Sequence, residues 1–263
     1  KGIIHCHSFL SHDSKGKFEE IVAAAKNAKV NFIAMTEHPK GDNLSKIPSG
    51  KHDGVLIIPG CETKNLLSIG ITKPPEGANL KERITDTIKK GGLPIICHPE
   101  EIHSPRQFRD AGGMEIYNLH SDIKNEDMAD LFAKGLAWLQ KEPETSYLTF
   151  FDMPIDFLRK YDDATTNGIR FAAVAGNDAH QNLKLGKIQL DPYERTFKFV
   201  STHVLAPDLS QESIIEGLKA GKTYVAFEIF GDPEGFQFFL QDSKSKFNIG
   251  EKATATECLT LKV

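Results

Sequence analysis

The chain has 263 residues, 40% hydrophobic and 26% charged, the balance of an ordinary soluble domain with enough apolar mass for a sizeable core. Its 32 basic and 36 acidic residues give a formal charge of −4, and no long basic run is present, so there is no strong nucleic-acid signal. No apolar stretch approaches the roughly 18 residues that a membrane span requires.

Short apolar runs alternate with amphipathic stretches from residue 1 to about 180. Strands are predicted over 2–7, 31–37, 55–61, 66–71, 93–97, 114–118 and 171–177. Apolar residues at helical spacing predict helices over 18–29 (Phe18, Ile21, Val22, Ala25) and 79–90 (Leu80, Ile84, Ile88), the second stopped by Gly91-Gly92. Two further helices are predicted over 125–140 and 152–167. The alternation predicts an α/β fold with a mainly parallel sheet. Leu66 follows Glu62 too closely for a helical crossover, so a hairpin is expected there. Beyond 190, Phe197–Val204 alternates like a strand. Ser210 and Gly221 bracket a helix over 210–220, and strands are expected at Thr223–Phe230, Phe236–Leu240 and Leu259–Val263. The polar stretch Lys40–Asp53 reads as a loop near the functional end. With the segment 181–195 it is expected to set substrate choice.

Metal-binding residue types close five of the apolar runs. His5-Cys6-His7 follows Gly2-Ile3-Ile4, and Glu37-His38 follows Phe32–Met35. Cys61-Glu62 follows Val55–Ile58, Cys97-His98 follows Leu93–Ile96, and Asp178-Ala179-His180 follows Phe171–Ala175. Function in parallel α/β folds gathers at the C-terminal ends of the strands. Strand alternation puts His5 and His7 on one face and turns Cys6, Cys61 and Cys97 away, as buried thiols. The fourth cysteine, Cys258, shows no disulfide framework with them, which mildly favours a reducing compartment. Imidazole and carboxylate together suit zinc, manganese or iron.

As an ordered set, His5-x-His7, the Ser-His-Asp-Ser turn after it, Thr36-Glu37-His38, Gly60-x-Glu62, Cys97-His98-Pro99 and Gly176-Asn177-Asp178-x-His180 resemble the motifs of the PHP (polymerase and histidinol phosphatase) family of metal-dependent phosphoesterases. The resemblance covers about residues 1–205. It implies a distorted seven-stranded (β/α)7 TIM-like barrel, here with a small C-terminal β-rich extension over 206–263, and two or three divalent ions (Mn, Fe or Zn). Carried over position by position, it implies His5, His7, His38, Glu62, His98, Asp178 and His180 as ligands, with Glu37 standing where the family usually has Asp. The turn after H-x-H is one residue longer than usual and offers His12 or Asp13, of which Asp13 better matches the family's turn. After Met114–Tyr117 the family's ligand His is replaced by Asn118, or supplied by His120 two residues on; His120 is the better donor for a transition metal. His52, His103 and His203 fit no motif.

The expected chemistry is hydrolysis of a small phosphorylated substrate by a metal-activated hydroxide, with no protein nucleophile and no separate catalytic acid assigned. Lys15, Arg106, Arg109 and Lys184 lie in or near loops after ligand strands and are the candidate substrate-binding cations. The stretch Thr202–Ala206, with Gly221–Val225, resembles a stand-alone hydrolase branch rather than a replication subunit. Two other readings are open: a carboxyl- or carbamoyl-ester hydrolase on the same metals, and a metal-binding protein without turnover. A cytoplasmic location is weakly favoured over export after signal-peptide removal, and oligomeric state is not readable.

Overall fold

The computed structural model describes residues 1–102, 104–124, 148, 151–185, 188–253 and 259–263. In chain order its elements are β1 (Gly2–Cys6), α1 (Phe18–Asn27), β2 (Phe32–Glu37), β3 (Gly50–His52), β4 (Val55–Thr63), β5 (Leu66–Ile69), α2 (Leu80–Lys89), β6 (Leu93–Ile96), β7 (Gly113–Asn118), α3 (Leu119–Lys124), α4 (Ile155–Thr166) and β8 (Ala172–Ala179). There follow a two-residue pair, β9 (Lys184–Leu185) and β10 (Ile188–Gln189), then α5 (Tyr193–Phe199), β11 (Ser201–Val204), α6 (Gln211–Lys219), β12 (Thr223–Ala226), β13 (Phe239–Gln241), β14 (Lys246–Asn248) and β15 (Thr260–Lys262). The helix expected over 125–140 and the residues His103 and Cys258 lie outside the described residues.

Strands pair in the order β1-β2-β4-β5-β6-β7-β8, and β8 returns to β1 through Ile4↔Gly176 and Cys6↔Ala179, closing a seven-stranded barrel. All pairings are parallel except those of β5, which runs against both β4 and β6. The expected hairpin is thus present: the two-residue turn Lys64-Asn65 reverses the chain one residue after Glu62. Six strands therefore end at one rim, and the β4–β5 turn sits on it.

One apolar cluster fills the barrel. Ile4, Phe32, Ala34, Leu56, Ile58, Leu67, Leu93, Ile95 and Val174 point into it, and Ile214, Ile215 and Leu218 of α6 join them. The helix is capped as expected, Ser210 Oγ accepting from Ser213 N at 3.2 Å, and Gly221 ends it at φ 65°. A second cluster, with Ile3, Cys6, Ile33, Met35, Ile57 and Cys61, packs against Ile21, Ala24 and Ala25 of α1 outside the barrel.

Three expectations change. Phe197–Val204 is not one strand: Pro192 opens α5, whose Tyr193 and Phe197, one turn apart, are buried in the α1-side cluster, and only Ser201–Val204 is extended. Lys40–Asp53 is not wholly a loop at the functional end. Its second half is β3, which pairs with Val55–Ile57 at the start of β4, far from that strand's C-terminal end. The β-rich extension is a three-stranded antiparallel sheet, β14-β13-β15, and Thr223–Ala226 instead pairs with β11, which adds to β1. No helix among the described residues is long and apolar enough to cross a membrane.

Because Leu218 is fully buried where α6 joins the interior cluster, Leu218→Ala is expected to lower unfolding free energy by about 2–5 kcal/mol. A shift in urea midpoint with unchanged slope checks it; no measurable shift would contradict α6 as part of the core.

Candidate metal centre

Imidazole and carboxylate side chains from every part of the rim meet in one recess. His5 Nε2 lies 2.9 Å from Glu62 Oε2 and 3.1 Å from Asp178 Oδ1. His7 Nε2 is 3.2 Å from the same Glu62 oxygen. His98 Nε2 lies 3.4 Å from Glu62 Oε1 and 3.5 Å from Asp178 Oδ2. Asp13 Oδ2 bridges the outer side, 3.2 Å from His38 Nε2 and 3.3 Å from His180 Nε2. Among the described residues, donor atoms fall within 4.8 Å of one another in three groups: His5, Glu62, His98 and Asp178; His7, His38 and His180; and His12, Asp13 and His38.

The backbone departs from regular strand geometry to achieve this. Strict alternation cannot put Ile4, His5 and His7 inside together with Ile3 and Cys6 outside. The register of β1 slips between Ile3 and Cys6, and His5 takes a left-handed φ of 68°. His98 (φ 46°) and Asp178 (φ 49°) are left-handed too. Such conformations cost about 1–3 kcal/mol each and persist where the surroundings over-determine them, typically at functional sites. The turn at His98 also corrects the expectation for Cys97. Its thiol faces the barrel interior, 3.9 Å from Glu62 Oε1, whereas Cys6 and Cys61 face the helices. Burial raises all three thiols, Cys61 to about 12, so all three are protonated at neutral pH in the metal-free protein.

The loop carrying Asp13 is latched from several sides. Ser14 Oγ donates to His180 O at 2.8 Å, Asn182 Nδ2 donates to Asp13 O at 2.9 Å, and Tyr193 Oη donates to His7 O at 2.6 Å. Glu37, fully buried, accepts from Ser8 N, Ser8 Oγ and Ser11 Oγ, and so holds the start of the same loop. His12 beside it is largely exposed.

The Nδ1 atoms of the buried histidines already have partners: Glu115 Oε1 for His5 (2.7 Å), Ser11 Oγ for His7 (3.2 Å) and the Asp178 carbonyl for His180 (2.7 Å). Each Nε2 then faces the recess. His7 Nε2, His180 Nε2, Asp13 Oδ1 and Asp178 Oδ1 are buried without a hydrogen bond, since the close contacts of these atoms lack hydrogen-bond geometry. Buried polar atoms are rarely left so, and cations in the recess would satisfy them.

Charge balance is carried by protons in the metal-free state. Burial alone would lower the pKa of His7, but Asp178 and Glu62 raise it to about 9. Burial likewise opposes, and Glu100 and Glu62 drive, a rise in His98 to about 10. His5 rises well above the usual histidine value under Asp178, Glu62 and Glu115, against its own burial. Against burial, His5 is the main influence holding Glu62 and Asp178 well below the usual carboxylate range. Burial lowers His120 to about 4, leaving it neutral.

No protein-family model matches the chain. A probable phosphatase of Caldicellulosiruptor saccharolyticus is 33% identical over 84 residues, 28% of this chain and 35% of that protein. The structure is similar to that of a two-domain protein from Bacteroides vulgatus described as containing a predicted PHP-like metal-dependent phosphoesterase. The TM-score is 0.54 at 18% identity, over 86% of this chain and 64% of the other. It is also similar to PsfC from Pseudomonas syringae, with a TM-score of 0.52 at 15% identity, over 86% and 90% of the two chains.

The chain has the PHP-like fold.

The chain thus spans less than two thirds of the two-domain protein, and its match to the phosphatase spans about a third of that relative. In this PHP-like barrel the rim brings together His5, His7, Asp13, His38, Glu62, His98, Asp178 and His180. His120, in the first turn of α3, lines the same cavity with its ring 5.0 Å from that of His180, but its nitrogens fall outside the three converging groups. Asn118 is turned elsewhere, donating to Glu115 and accepting from Ser121 N. The cavity, about 890 Å³, is walled without Lys15, Arg106, Arg109 or Lys184; among the described residues its cations are Lys64 and Lys124. Lys64 could have been read from the two-residue turn after Glu62. Glu115 was overlooked because a lone acidic residue within an apolar strand carries no spacing signal.

The raised histidines contribute stability below about pH 6.5 and lose it as pH climbs through about 9 to 10, whereas the depressed carboxylates contribute above about pH 4.5 and lose it in acid. Chelator-treated protein is therefore expected to melt at progressively lower temperature from pH 7 to 9.5. A flat melting temperature over that range would contradict this charge assignment.

Proposed function

We propose that the chain is a metal-dependent phosphoesterase that hydrolyses a small phosphorylated substrate at the barrel rim. The observation that carries the reading is the convergence of imidazoles and carboxylates, with buried atoms of His7, Asp13, Asp178 and His180 left without hydrogen bonds. A PHP-like fold and a relative named as a probable phosphatase support it.

Glu62, His5, His98 and Asp178 would hold one divalent ion, and His7, His38, His180 and Asp13 a second. The third group, which adds exposed His12, leaves room for a third. His120 would complete the set from α3. The mixed nitrogen and oxygen donors suit Mn, Fe or Zn. When bound, such ions lower the pKa of a water and neutralise charge gathering on phosphoryl oxygens. The chain's own residues do the rest. Glu62, with one oxygen toward His5 and His7 and the other toward His98, fixes the two ligand groups relative to each other. Lys64 and Lys124, both exposed and lining the cavity, would face the substrate's remaining charge.

Inorganic phosphate release from a panel of phosphomonoesters and nucleotides tests the reading. Release is expected with Mn-loaded protein, absent after chelation, and reduced by at least about a hundredfold in His7→Ala, the scale of losing a ligand that stabilises the transition state. No release with any divalent ion, alongside cleavage of phosphate-free esters, would overturn it. In the same assay Lys64→Ala is expected to raise KM while metal content stays that of the wild type; an unchanged KM would remove Lys64 from the substrate site.

A further inference from the structure

Glu115 is fully buried on β7, inside the barrel and behind His5. Its Oε1 lies 2.7 Å from His5 Nδ1. Its Oε2 accepts from His98 N at 3.2 Å and from Asn118 Nδ2 at 3.1 Å. Both oxygens are thus committed, and the carboxylate belongs to none of the groups of converging donors. The neighbouring strand makes room for it: a Cβ on Gly176 would stand 2.0 Å from Glu115 Oε1. An acidic side chain in a barrel interior is costly unless its charge is used, and here it meets two residues whose left-handed backbones place their rings at the recess, His5 and His98.

We infer that Glu115 is a positioning residue for the metal centre: by accepting the Nδ1 proton of His5 it fixes the tautomer and ring plane that present Nε2 to the ion. The inference rests on the metal-centre reading above. Histidines that ligate metal commonly donate their other nitrogen to a carboxylate, which locks the ring and raises its basicity. His7 and His180 meet weaker partners at Nδ1, a serine hydroxyl and a backbone carbonyl. His5 alone among these three has a direct, buried carboxylate, so its nitrogen becomes the most electron-rich donor of the three. Gly176 acts with it, since any larger residue there would push the carboxylate off His5.

The test is metal affinity, read independently of turnover. Stripped wild-type and Glu115→Gln proteins are titrated with Zn²⁺ against a chromophoric chelator. Gln keeps the shape, but its amide nitrogen must face either His5 Nδ1–H or the two donors His98 N and Asn118 Nδ2. A loss of about ten- to a hundredfold in affinity is expected. Because Glu115 acts through His5, the same substitution in a His5→Ala background is expected to cost almost nothing further. Equal affinity of wild type and Glu115→Gln, or an undiminished loss in the His5→Ala background, would overturn the inference while leaving the metal centre standing. Failure of the wild type to bind Zn²⁺ would instead bring down both. Should Glu115→Gln not fold, ¹⁵N-histidine spectra of the zinc-loaded wild type decide. A protonated Nδ1 on His5 with Nε2 metal-shifted is expected, and an Nε2–H tautomer would overturn it.

Discussion

Glu62 and Asp178 lie almost out of reach of water, and each sits within 3.5 Å of two or more imidazole nitrogens. Neither set of groups is tolerable there alone. Buried carboxylates without a counter-charge would take up protons, and buried imidazolium ions without carboxylates would shed them. In the metal-free protein the balance is struck with protons on His5, His7 and His98. Divalent ions would supply the same positive charge with better-directed bonds, so the donor set fits an exchange of protons for metal. That charge balance constrains everything around it.

The barrel is organised to hold this arrangement open. Its lower part is a conventional apolar filling closed by α6, and its upper part gives up regular strand geometry. The slipped register of β1 and the left-handed residues His5, His98 and Asp178 aim side chains that a flat alternation would turn outward. The reversed strand β5 brings a tight turn to the rim and with it Lys64, while Asn65 Nδ2 donates to His98 O at 3.0 Å, tying that turn to the His98 loop. Strain in the backbone is held by hydrogen bonds that lock into the apolar body through Glu115, Glu37 and Tyr193.

Much of this was legible in the sequence, and the failures have physical reasons. Seven apolar runs and their spacing were enough for a mainly parallel α/β sheet, because each strand must bury a face, and the resemblance of the motifs supplied its closure into a barrel. Apart from Asp13 and His12, which a loop carries, the residues that converge are those that end these runs, since their position follows strand position. Cys97 was misjudged because alternation cannot foresee a left-handed residue at His98. The stretch 197–204 reads as a strand because Phe197 and Phe199 stand at the strand period, whereas α5, opened by Pro192, buries them in two different clusters. The wall cations were misplaced because loop proximity in sequence does not tell which side chains line a cavity. Glu115 was invisible because its partners, His5 and Gly176, lie on other strands and meet it only on folding.

The most direct measurement is anomalous diffraction at the manganese or zinc edge from crystals grown with that ion. The account predicts two separate peaks, one among His5, Glu62, His98 and Asp178 and one among His7, Asp13, His38 and His180. Crystals saturated with either ion that show no anomalous peak in the recess would contradict it.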